Sequence, residues 1–94
     1  MIHYRQSVLE RVLPLLEPNT FVDIVPENIA DSMGIPTPWV VRVLQVLALD
    51  GTLEQRQVRG HPQYRPGTED EGVVELMRAK SGRTAEQQRA TKRA

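Results

Sequence analysis

Apolar side chains recur along this chain at changing intervals, and the changes predict its elements. Residues 3–16 place Val8, Leu9, Val12, Leu13 and Leu16 at i, i+1, i+4, i+5 and i+8, which is one face of a helix. Pro14 lies inside that pattern and predicts an end or kink near Leu13. Glu17-Pro18-Asn19 predicts a turn. Thr20 to Val25 is short and β-branched, which predicts a brief strand.

The next helix is predicted from Pro26, whose missing N–H costs nothing in a first turn. Ile29, Ala30 and Met33 share one side; Glu27, Asn28 and Asp31 share the other. Gly34 suits the left-handed residue that closes such a helix. After Ile35-Pro36, Thr37 is the expected N-cap of a further helix, with Pro38 at its first position. Val40, Val43, Leu44 and Leu47 form its core stripe, and Asp50-Gly51 ends it. Thr52 to Val58 predicts a strand, Arg59-Gly60-His61-Pro62 a turn, and Gln63-Tyr64-Arg65 the returning strand of a hairpin. Thr68 with Glu71 fits a capping box. Val73, Val74, Leu76 and Met77 then mark a last amphipathic helix reaching about Lys80. Beyond Ser81-Gly82 the only apolar residues are alanines, which predicts a disordered or weakly helical tail. The expected organisation is one domain over residues 1–80 and a basic tail over 81–94.

Composition narrows the class. Ninety-four residues allow one domain with a modest core. The absence of cysteine excludes a disulfide scaffold, a thiolate zinc site and a cysteine nucleophile. No apolar run approaches the ~20 residues of a transmembrane helix, and Met1 to Arg11 does not read as a secretion signal. The expected location is the cytoplasm, with no membrane association.

Charge changes the picture again. The formal net charge is zero, from 12 basic and 12 acidic residues. Residues 1–50 carry three basic and six acidic side chains, and residues 51–94 carry nine basic and six acidic. Residues 55–66 hold Arg56, Arg59 and Arg65 without an acid, whereas Glu69, Asp70, Glu71 and Glu75 cluster without a base. Fields decay over a Debye length of about 8 Å at physiological salt, so these local blocks matter more than the total.

No catalytic or metal constellation emerges. Two distant histidines and scattered carboxylates offer no nucleophile–base pair and no ligand set, and Gly51, Gly60 and Gly67 are spaced as turn glycines. The expectation is a non-enzyme without cofactor or metal.

The segment from Pro26 to Pro66 resembles a winged helix-turn-helix of the MarR, ArsR and PadR type of small bacterial regulator. The likeness is carried by Pro26 to Ile35, by Pro36 to Leu47, and by Asp50-Gly51-Thr52-Leu53-Glu54 opening the wing. It implies a mainly α fold with a small antiparallel β-hairpin, of the α+β class. It also implies double-stranded DNA as partner, with the second motif helix in the major groove and the wing on the backbone or in the minor groove. Carried onto this sequence, the DNA-facing positions are Thr37, Trp39, Val41, Arg42 and Gln45, with Arg56, Arg59, His61 and Arg65 in the wing. Arg42 suits guanine, Gln45 adenine, and the wing arginines phosphate. A dimeric transcriptional regulator of a bacterium, phage or plasmid is the implied role. Val8, Val12, Val73, Leu76 and Met77 are the expected dimer contact; the alternative is that the last helix packs against the protomer's own first helix.

One departure from that pattern opens a second reading. Trp39, Val41, Val46 and Leu49 lie off the core stripe and leave the helix nearly uncharged. They serve DNA contact and packing on the last helix, or they form an apolar face that docks onto a protein partner.

Overall fold

The computed structural model describes residues 4–93, and the side chains of residues 4–82. It is an α+β fold of four helices and a three-stranded antiparallel sheet. The first helix, α1, spans Arg5–Val12, and a 3-10 turn at Leu13–Leu15 accommodates Pro14. β1 is only Val22–Asp23. α2 spans Pro26–Met33 and α3 spans Thr37–Leu49. β2 is Leu53–Val58, β3 is His61–Pro66, and α4 is Glu71–Arg93.

Local chemistry sets most of these boundaries. Gly34, at φ 67°, closes α2: its N–H donates to the Asp31 carbonyl at 3.3 Å, and the Ile35 N–H reaches the Ala30 carbonyl at 3.2 Å. These two bonds form a Schellman closure and satisfy carbonyls that the helix end leaves open. The tight turn that follows bends the chain by 117° between α2 and α3. Two caps differ from expectation. Pro36 occupies the N-cap of α3, so Thr37 sits one residue inside the helix. Asp70, not the Thr68–Glu71 pair, caps α4, its Oδ1 accepting the Val73 N–H at 3.1 Å; such a cap contributes about 1 kcal/mol.

The strands pair in the order β1-β3-β2. Val22 lies opposite Tyr64 in β3, and Gln55 of β2 also faces Tyr64. Successive strand residues point to opposite faces. Leu53 and Tyr64 therefore enter the core, while Glu54, Arg56, Gln63 and Arg65 line the outer face. The hairpin turn is tighter than expected: only Arg59 and Gly60 connect the strands, and His61 and Pro62 already belong to β3. Arg59 at φ 51° and Gly60 at φ 80° give the positive pair that a two-residue type I′ turn requires. At the root of the hairpin a Cβ on Gly67 would stand 1.9 Å from the Gly51 carbonyl oxygen, so the backbones meet there only because residue 67 is glycine.

One core joins all the layers. Val8, Val12, Leu16, Val40, Val43, Leu44, Leu47, Leu53 and Val73 are fully enclosed, with Ile24, Ile29, Tyr64 and Met77 around them. Burying each such aliphatic side chain contributes about 1.5–3 kcal/mol. Val8, Val12, Val73 and Met77, four of the five residues expected at a dimer contact, lie inside this core. Their apolar surface is already used within the protomer, and Leu76 alone of the five reaches the outside. α4 continues as helix through the segment read as a tail; its side chains beyond Gly82 lie outside the described residues. No single helix among the described residues is long and apolar enough to cross a membrane.

Candidate functional site

Two surfaces hold the residues that the sequence singled out for DNA: the outer face of α3 and the outer face of the hairpin. The core stripe of α3 turns Val40, Val43, Leu44 and Leu47 inward. Helical periodicity then forces Trp39, Val41, Arg42, Gln45 and Leu49 outward, and all five are exposed. Thr37 is half-buried. Trp39 is 50% exposed and rests against Tyr4, ring centroids 5.6 Å apart and planes tilted by 42°. Leu49 is 86% exposed, so it does not pack on the last helix; Val46 is half-buried.

The hairpin surface is built on register. Arg56 lies opposite Gln63, and Glu54 opposite Arg65. The Arg56 Nε–H donates to Gln63 Oε1 at 2.8 Å, and Gln63 Nε2 donates onward to Asp23 Oδ1 at 3.0 Å. Arg65 forms an ion pair with Glu54 through Nε and Nη2. Both guanidinium groups also sit over the Phe21 ring, Arg56 at 4.3 Å and Arg65 at 4.6 Å from its centroid. Phe21 was not a sequence candidate. Alternation outward from Asp23 places it on the same face, but only the pairing of β1 with β3 brings it beside the two arginines.

The predicted residues thus divide by environment. Among the described residues, Arg42 and Arg59 form no hydrogen bond or ion pair with another side chain. Arg56 is held by neutral groups, and Arg65 is neutralised. His61 lines a groove with Asp23, Val25, Glu27 and Pro62, so carboxylates share its side of the hairpin. No group of three His, Asp or Glu side chains among the described residues could hold a metal ion.

A polar clasp fixes α3 relative to the hairpin. Arg5 Nη2 donates to Asp50 Oδ2 at 2.9 Å and to Thr52 Oγ1 at 3.0 Å. The Thr52 N–H donates to Asp50 Oδ1 at 3.0 Å. Burial alone would push the Asp50 carboxyl up, but the bonds from Thr52 and Arg5 outweigh it and hold the group below its ordinary value. The clasp anchors the start of α1 at the junction where α3 hands over to β2.

No protein-family model, no curated protein and no solved structure matches the chain.

Proposed function

We propose that this chain is a winged-helix DNA-binding protein, acting as a transcriptional regulator of bacterial, phage or plasmid type in the cytoplasm. The observation that carries the reading is the arrangement of α2 and α3, bent by 117°, followed by a hairpin whose β3 lies between β1 and β2. Helix-turn-helix units turn by about 90–120°. In such a unit the second helix presents its outer side chains to the major groove. Here those are Thr37, Trp39, Val41, Arg42 and Gln45. Arg42 on the helix and Arg59 at the hairpin tip have no partner among the described residues, which leaves both charges available to base edges and phosphates.

The low positive charge of α3 implies modest affinity. The decisive experiment titrates labelled duplex DNA by fluorescence anisotropy at two salt concentrations, with wild type and with Arg42→Ala/Arg59→Ala. Wild type is expected to bind with a salt slope corresponding to about four to six phosphates per protomer. The double variant is expected to bind at least about tenfold more weakly. Salt-independent or absent binding by wild type defeats the reading.

A second reading, docking onto a protein partner, is favoured by one observation: Leu49 at 86% exposure and the Tyr4–Trp39 pair leave apolar surface open on and beside α3. A homodimer, for its part, has Leu76 and this same surface to draw on, because the other expected contact residues are enclosed. Scattering mass with wild type and with Leu49→Ser tests the self-association.

A further inference from the structure

We infer that Phe21 is a positioning residue that holds the Arg56 guanidinium as the phosphate-contacting group of the wing, while Arg65 serves only to balance Glu54. The inference rests on the DNA-binding reading above and assigns unequal roles to two arginines that the sequence alone treats alike.

Three observations carry it. The first is convergence: two like charges from adjacent strands are drawn to within 4.6 Å of one ring centroid. Repulsion would otherwise spread them across the face. An aromatic face attracts a guanidinium through its quadrupole, which offsets part of that repulsion. The second is the asymmetry of their partners. Arg65 pairs with a carboxylate, so its charge is compensated locally. Arg56 gives its Nε–H to the neutral amide oxygen of Gln63, and Asp23 is reached only through the far end of that amide. The third is the remaining donors. Once Nε is engaged, the two terminal nitrogens of Arg56 carry the donors left over, and among the described residues no partner takes them.

A guanidinium fixed in this way is prepared for an oxygen anion. Its planar fork matches phosphate oxygens bidentately, and its ordering cost is met before the ligand arrives. Phe21 thus acts on DNA affinity through Arg56 without touching DNA. The same geometry demotes Arg65, whose release to a phosphate would strand Glu54.

The test uses the full chain and labelled duplex DNA across a salt series, with Phe21→Leu, Phe21→Tyr, Arg56→Ala and the charge-neutral pair Glu54→Ala/Arg65→Ala, which removes both members of the ion pair. Arg56→Ala is expected to weaken binding about fivefold near 0.15 M salt and to lower the salt slope by about one. Phe21→Leu keeps apolar bulk but removes the ring, and is expected to weaken binding about threefold; Phe21→Tyr restores it. Glu54→Ala/Arg65→Ala is expected to change affinity less than about twofold. Equal losses from Glu54→Ala/Arg65→Ala and Arg56→Ala, or wild-type affinity in Phe21→Leu, overturn the assignment. A second readout is independent of DNA: the Arg56 Nε–H resonance of the free protein should shift and exchange faster in Phe21→Leu but not in Phe21→Tyr. An unmoved resonance overturns the positioning role even if DNA binds. A moved resonance in a chain that binds no DNA supports the positioning and overturns the phosphate role together with the DNA reading.

Discussion

The two faces of α3 are made of similar residues and do opposite things. Inward are Val40, Val43, Leu44 and Leu47, all enclosed. Outward are Val41 and Leu49 with Trp39, Arg42 and Gln45, all exposed. Side-chain chemistry alone does not separate Leu47 from Leu49; what differs is whether α1, α2 and β2 stand over the residue. The inner face holds the molecule together. The outer face contributes little to stability and is free to meet something else. Changes on the two faces should therefore separate stability from binding.

The largest test of that separation is Leu44→Ala. Leu44 is fully enclosed, so its loss leaves a cavity and should cost about 2–5 kcal/mol, read as a lowered urea midpoint. The DNA binding proposed above should be unchanged in the molecules that remain folded. Next is Gly67→Ala, where the new methyl meets the Gly51 carbonyl oxygen; a loss of about 1–3 kcal/mol in the same measurement is expected. Asp50→Asn sharpens the comparison through pH. The folded state holds the Asp50 carboxyl below its ordinary value near 3.8. Its contribution is therefore present above that value and fades as pH falls through the lower folded one. Its side chain is 38% exposed, so solvent screening limits the effect to about 0.5 kcal/mol at neutral pH. Thermal melts of wild type and Asp50→Asn should differ near pH 7 and converge only as pH falls below 3.8 and through the lower folded value. Smallest is Leu49→Ser, expected to move stability by no more than about 0.5 kcal/mol. A larger loss would mean that the outer face is packed after all.

Periodicity made much of this legible. The stripe of α3, the proline and glycine that bound α2, and the kink at Pro14 all follow from nearest-neighbour sterics, which the sequence carries locally. Elements decided at long range were harder to read. Nothing within Thr20 to Val25 limits the strand to two residues; its pairing with Tyr64 and Gln63 does. Val73 and Met77 read equally well as an outward stripe and as a core stripe, and only the closing of α4 on the body decides between them. Phe21 was invisible for the same reason: it lies 35 and 44 positions from the two arginines it meets. Asp70 won the cap over Thr68 because helix α4 begins at Glu71, one residue after it.

The short β1 carries a consequence for life in a crowded solution. It pairs with β3 only at Gln63 and Tyr64; beside the tip half of β3 the chain stands off across the groove lined by Val25, Glu27, His61 and Pro62, so that border carries no ladder pairing. An open strand border invites a foreign strand to add itself and so to seed aggregation. Position 62 stands in that stretch, and a proline has no N–H to offer an incoming chain. That proline therefore discourages the hairpin from recruiting a neighbouring chain.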